Sequence, residues 1–211
     1  MSCVRTCPGE PGCDARSDLN SVAPCPTETD RETVGFTVRA ATPADIAALE
    51  QLMAGSARSL WRTDYTDEQI QAALGTRMEV DRAMILAGTY YVVEVGGEIV
   101  GCGGWSRWRT VFDTNAAVAE ETARPDPARE VARIRGFFVH PDWTRRGIGR
   151  LLLEHCEAAA RAHGFITAEL MATLTGRRFY QVCGYAAGAP LQESLGRGLT
   201  IELVPMRKAL I

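Results

Sequence analysis

The spacing of apolar positions changes several times along the chain, and each change predicts an element. Phe36-Thr37-Val38-Arg39 alternates apolar and polar residues and suits a short strand. Thr42-Pro43-Ala44-Asp45 then reads as a helix start: a threonine cap, a proline in the first turn and an acid beside the free amides. Ile46, Leu49, Leu52, Met53 and Leu60 recur at helical spacing, which predicts a helix from about 43 to 60. Thr66-Asp67-Glu68-Gln69 forms a capping box and opens a second helix carrying Ile70, Ala73 and Leu74. Tyr90 to Val95 and Ile99 to Trp105 flank Gly96-Gly97 as a hairpin. Val131 to Val139 is apolar enough for a buried strand. The next helix places Ile148, Leu151, Leu152 and Ala159 on one face and stops at Gly164. A strand over 168 to 172, a short helix over 176 to 182, and closing strands around Tyr185 and over 199 to 206 complete the order. This is a mixed α+β layer fold.

Two stretches carry no such pattern. Residues 1 to 34 hold Pro8, Pro11, Pro24 and Pro26 among polar residues and predict a flexible extension, leaving 35 to 211 as the folded domain. Residues 109 to 130 are polar, acidic and proline-containing, and read as an inserted loop. The extension also holds Cys3, Cys7, Cys13 and Cys25, four of the chain's seven cysteines. Their spacing lacks the paired C-x2-C knuckles of a zinc ribbon, so a reduced tail is expected and no metal.

Charge narrows the partners. A formal net charge of −3 excludes a global basic field for nucleic acid, so anion recognition must be local. No apolar run approaches the roughly 20 residues that cross a bilayer, and Met1 to Arg16 lacks the apolar stretch of a signal peptide. The expectation is a cytoplasmic protein with no membrane partner.

One local anion site stands out. Phe137-Phe138-Val139-His140-Pro141-Asp142-Trp143-Thr144-Arg145-Arg146-Gly147-Ile148-Gly149-Arg150 is a strand, a basic turn and a helix start. Free amides of a first helical turn, the helix dipole and close backbone approach at glycine together favour phosphate. Arg145, Arg146 and Arg150 add charge. A Walker loop fails because Arg150-Leu151 follows Gly149, and a dinucleotide fingerprint fails because Leu152 stands where a third glycine is needed. A plain turn with surface arginines remains the bland alternative.

The surroundings of this turn resemble the GNAT superfamily of N-acetyltransferases. There a strand leads into Gln/Arg-x-x-Gly-x-Gly/Ala, whose amides hold the coenzyme A pyrophosphate. The match covers the strand Phe137 to Val139 with Gly147 and Gly149, while Thr144 replaces the long first residue. About thirty residues on, Phe179-Tyr180-Gln181-Val182-Cys183-Gly184-Tyr185 is similar to the family's Phe/Leu-Tyr-x-x-x-Gly-Phe/Tyr. Thr173 and Gly176 depart from its usual Asn and Ala. The resemblance spans roughly 36 to 208 and implies a mixed, mostly antiparallel sheet with helices on both faces. It also implies acetyl-CoA as cosubstrate, bound by Phe138, Val139, Arg145, Arg146, Gly147, Ile148, Gly149 and Arg150.

The implied reaction is direct attack of an amine on the acetyl thioester, with Cys102, Cys156 and Cys183 as bystanders. Tyr180 is the candidate acid for the leaving thiol, against a packing role with its hydroxyl on a backbone carbonyl. Glu169 is the candidate base, against a solvated or salt-bridged side chain. Tyr65 and Trp105, the latter with Arg107 at the end of its strand, are candidates for the acceptor site, against plain packing. The expected partner is an amine-bearing small molecule or peptide, with a homodimer left open. The competing function is a catalytically weak GNAT-like module that binds acetyl-CoA to regulate.

Overall fold

The computed structural model describes residues 35–76, 78–107 and 130–210. The cysteine-bearing segment 1–34, and the stretch expected as a loop apart from Glu130, lie outside the described residues. The elements are β1 (Thr37–Ala40), α1 (Ile46–Leu60), α2 (Asp67–Thr76), α3 (Arg82–Leu86), β2 (Tyr90–Val95), β3 (Glu98–Ser106) and β4 (Ala132–Val139), followed by α4 (Ile148–Ala162), β5 (Thr167–Thr173), α5 (Leu174–Val182), β6 (Ala186–Ala187), β7 (Leu191–Gly196) and β8 (Leu199–Ala209). The strands form one sheet in the order β1-β2-β3-β4-β5-β8-β6, with β7 also on β8. Every pairing is antiparallel except β4 with β5. The α+β expectation with a mostly antiparallel sheet therefore holds.

Helices cover both faces because the strands alternate. Tyr91 and Val93 of β2 pack with Ile148, Leu152, Leu153 and Cys156 of α4. Their neighbours Tyr90 and Val92 pack with Leu49, Leu52 and Met53 of α1 and with Met84 and Ile85 of α3. A one-residue shift would exchange the two sets, so burial on both faces holds the register. The α1 entry follows the cap chemistry read from sequence: Thr42 and Asp45 form a reciprocal capping box, though Pro43–Asp45 make a 3-10 turn before the α-helix begins. Arg39 of β1 ties this turn to the sheet, donating to Asp45 and to Glu94 of β2.

Two elements were not expected. The helix α3 has only five residues, too few for a period, although Asp81 caps it by accepting from the Met84 amide. The strand β7 pairs with β8 through Leu191 to Gly196. Among the described residues no helix is long and apolar enough to cross a membrane.

Two irregularities at β4 shape the centre of the molecule. The pairing with β3 skips from Phe138 to Arg135 while β3 advances only from Cys102 to Gly104, so β4 carries one extra residue, a β-bulge. Its Gly136 has φ +71, a conformation glycine adopts without the steric penalty other residues meet. The bulge also exchanges faces: Ile134 precedes it on the α4 side, whereas after it Phe137 and Val139 take that side and Phe138 turns to the other. The second irregularity is the short parallel pairing of β4 with β5, confined to Ala132 with Ala168 and Arg133 with Glu169. Beyond those residues the two strands diverge, and the sheet opens.

Candidate functional site

A cavity of about 1030 Å³ runs through this opening. One end is walled by the start of α4 and by α5, with Gly147, Gly149, Arg150, Phe179 and Tyr180 on its surface. The middle passes Gly136, Phe137 and Phe138 of β4 and Leu170 and Met171 of β5. The other end lies under α1 and α3, against Met53, Trp61, Asp81, Met84, Arg133 and Arg135.

The α4 end is built for an anion. Helices α3 and α5 begin on side-chain caps, from Asp81 and from Thr173, and α2 on the Thr66 and Gln69 pair. The cap of α4 is Gly147, which has no side chain to offer. The first amide of that helix bonded back is Leu151, which donates to Gly147 O at 2.9 Å. The preceding amides of Ile148, Gly149 and Arg150 have no intrahelical partner, as in any first helical turn. Gly147 sits at φ +89 and Arg145 at φ +63, so the turn curls through two left-handed residues. A Cβ built on Gly147 meets nothing within 4 Å, so the space beside this cap residue is open. Arg146 is held against the Trp143 ring at 4.6 Å, while Arg145 and Arg150 line the cavity. The donor set fits the diphosphate of a coenzyme A: uncapped amides at a helix N-terminus, backed by guanidinium groups.

Tyr180 lies where this end meets the sheet opening. Its ring packs edge-on to Phe179 (centroids 4.9 Å), Tyr185 (5.8 Å) and Phe137 (6.4 Å). The hydroxyl makes no hydrogen bond to any described residue, so the carbonyl expected by the packing alternative is not there. Burial raises its pKa, with the neighbouring Cys156 and Cys183 thiols adding to the shift, so the phenol stays protonated through the neutral range.

The remaining candidates are distributed unevenly. Glu169 does line the cavity, but both oxygens are engaged: Oε1 accepts from Arg133 at 2.8 Å, and Oε2 lies 3.4 Å from Arg207 Nη2. It ties β4, β5 and β8 together, the salt-bridged reading of this side chain.

Tyr65 is not on the cavity wall. It is buried, its hydroxyl donates to Glu202 O (2.8 Å) and accepts from the Leu174 amide (2.7 Å), and burial pushes its pKa up to about 12. It fastens the entry to α2 onto β8 and α5, the packing alternative to an acceptor role. Trp105 is likewise off the cavity wall. It is 1 % exposed and packs against His163 and Phe165 on the α4 side of the sheet, away from the chamber under α1. Arg107 follows at the end of β3, outside the cavity.

Apart from Phe138, the chamber under α1 is formed by residues not singled out from sequence. Trp61 stacks on Phe138 with centroids 6.4 Å apart and planes at 28°. Arg135 pairs with Asp81 and donates to Met84 Sδ at 3.2 Å. A signal existed: Ala132-Arg133-Ile134-Arg135 alternates small or apolar with basic, which marks a strand with one polar face.

Cys102 and Cys156 are buried free thiols, burial pushing Cys102 up to about 12 and Cys156 higher still. Among the described residues no group of three or more His, Cys, Asp or Glu side chains is placed to hold a metal ion.

Solved structures share this architecture. A GCN5-related N-acetyltransferase from Rhodopseudomonas palustris aligns at TM-score 0.63 and 23 % identity, over 82 % of this chain and 94 % of its own. PaiA N-acetyltransferase from Thermoplasma acidophilum, in complex with coenzyme A, aligns at 0.58 and 14 % identity, over 83 % and 99 %. YncA from Salmonella typhimurium, with its cofactor acetyl-CoA, aligns at 0.55 and 22 % identity, over 83 % and 94 %. At these identities the likeness establishes the fold alone. Among curated proteins no sequence match is found. The family itself is established from sequence, since the acetyltransferase (GNAT) family model matches residues 46–185, a span that contains the uncapped helix start, the opened sheet and Tyr180. The chain belongs to the acetyltransferase (GNAT) family.

Proposed function

We propose that this protein transfers the acetyl group of acetyl-CoA to an amine by direct attack on the thioester. The observation that carries the reading is the single cavity joining the uncapped start of α4, the opening between β4 and β5, and the chamber under α1. A long cosubstrate with an anionic end fits the first part, and an acceptor approaching from the opposite side fits the last. When bound, acetyl-CoA supplies an acyl group already activated as a thioester.

The chain's own residues then have limited proton work. The amides of Ile148, Gly149 and Arg150 with Arg145 and Arg150 hold the phosphates. Phe137, Phe138 and Leu170 exclude water from the middle of the cavity. Tyr180 presents a protonated hydroxyl toward the leaving sulfur. A thiol of pKa about 8.5 and a phenol of about 10 differ by about 2 kcal/mol against full proton transfer, and burial of Tyr180 widens the gap. Tyr180 is therefore a hydrogen-bond donor to the developing thiolate, with water completing the protonation. Glu169 would have to give up two guanidinium contacts to accept a proton, so the amine loses its proton to water in the cavity.

That step discriminates among acceptors. Neutralising a lysine-like amine at pH 7 costs roughly 4.6 kcal/mol, against roughly 1.4 for an α-amine near pKa 8. With no dedicated base, amines of lower pKa react faster at neutral pH. The test is a panel of small amines and peptides assayed for thiol release from acetyl-CoA. Amine-dependent release supports the reading. Coenzyme A binding without release by any amine contradicts it and leaves a binding module.

A further inference from the structure

The acetyl-transfer reading leaves one buried polar cluster unused, and it lies directly beneath the β4 bulge. Tyr90 of β2 is 1 % exposed, and its hydroxyl donates to Gly136 O at 2.9 Å, spanning β3 to reach β4. Cys102 of β3 sits beside both groups, its sulfur 3.4 Å from the Tyr90 hydroxyl and 3.6 Å from the same carbonyl. A carbonyl in a regular ladder would accept from the neighbouring strand. This one instead accepts from a side chain reaching up from the face covered by α1 and α3.

The consequence follows from peptide geometry. A trans peptide is planar, so its N–H points opposite to its C=O. With the Gly136 carbonyl drawn toward Tyr90, which itself lines the cavity, the Phe137 amide is turned away from Tyr90, toward the side where Phe137 and Tyr180 line the same cavity with their rings 6.4 Å apart. Gly136 at φ +71 permits that orientation, and a Cβ there would stand 2.8 Å from the Tyr90 ring, so tyrosine and glycine are fitted to each other.

We propose that Tyr90 is a positioning residue for acetyl transfer, its hydroxyl holding the Gly136–Phe137 peptide so that the Phe137 amide faces the thioester in the sheet opening. The inference rests on the acetyl-transfer reading. An amide fixed beforehand toward a carbonyl that gains negative charge stabilises the transition state without reorganisation, and a loosened one stabilises it less. Tyr90 lies away from the phosphate end, so it acts on rate and not on cosubstrate affinity.

The test is Tyr90→Phe, which keeps the ring and removes the hydroxyl. Coenzyme A affinity by calorimetry and KM for acetyl-CoA are expected within about twofold of wild type, while the single-turnover rate falls roughly tenfold to a hundredfold. Gly136→Ala displaces the same peptide with the hydroxyl present and should give the same split. Combined, the two substitutions should slow transfer no more than the worse one alone, because both act through one peptide. If Tyr90→Phe does not fold, Gly136→Ala carries the test by the same split. A Tyr90→Phe protein that melts earlier but turns over at the wild-type rate per folded molecule overturns the inference, as do additive losses in the double variant. Wild-type protein that transfers to no amine overturns the acetyl-transfer reading and this inference with it, whereas an active wild type with an unaltered Tyr90→Phe rate overturns the inference alone.

Discussion

Replacing Tyr180 by phenylalanine isolates one hydroxyl. The ring contacts to Phe137, Phe179 and Tyr185 are aromatic packing and persist in the variant. The hydroxyl bonds to no described residue, so its removal orphans no buried partner. The stability change should therefore stay within about 0.5 kcal/mol, the range of substitutions that break no specific interaction. Turnover is different. A hydrogen bond to a charged group contributes about 1.5–3 kcal/mol, and at about 1.36 kcal/mol per decade its loss slows transfer roughly tenfold to 150-fold. Coenzyme binding should be unchanged, because the phosphate amides belong to α4. The assay is chemical denaturation and single-turnover acetyl transfer on the same preparation. The wild-type rate should also show no alkaline loss from Tyr180 ionisation up to about pH 10, since burial raises that pKa above its ordinary value. Full turnover in a stable Tyr180→Phe protein would refute the donor assignment.

Further outcomes follow from the same structure. Gly147→Val places a branched side chain at φ +89 in the turn that leads into α4, and should weaken coenzyme A binding at least about tenfold by calorimetry, with about 1–2 kcal/mol of backbone strain seen in denaturation. Glu169→Gln should lower stability by loosening the Arg133 and Arg207 contacts, yet leave the acid limb of the pH–rate profile in place; disappearance of that limb would make Glu169 the base. Asp45 titrates well below the usual carboxylate range because Arg39 donates to it, with the Thr42 amide adding to the effect. A depressed folded-state pKa contributes stability that is fully present above the unfolded value of about 3.9 and lost as pH falls through the folded one. The stability gap between wild type and Asp45→Asn should thus be constant near neutrality and close in acid below about pH 4, read from melting curves across pH.

The parts of this molecule legible in its sequence are those written locally. The cap of α1, the hairpin of β2 and β3, and the run from Phe137 to Arg150 each depend on residues a few positions apart, and each appears where expected. The parts that were not legible depend on distant partners or on face assignment. From Val100 to Ser106 every residue of β3 is buried, so no alternation told which face Trp105 takes. The two partners of the Tyr65 hydroxyl lie 109 and 137 residues away in sequence. The bulge was hidden because Gly136, inside an otherwise strand-like run, does not announce a positive φ. The chamber under α1 escaped for a related reason: Arg133 and Arg135 show polar alternation, but only the bulge explains why Phe138 joins their face and Phe137 does not.

The central claim is that the acetyl group passes straight from the thioester to an amine. It is tested most directly by following labelled acetyl-CoA in rapid-quench reactions, counting thiol released, amide formed and label retained on the protein. The account predicts one amide for each thiol, no label on Cys183 or any other side chain, and no thiol burst before amine is added. A burst of thiol without amine, matched by acetyl label on the protein, would contradict it.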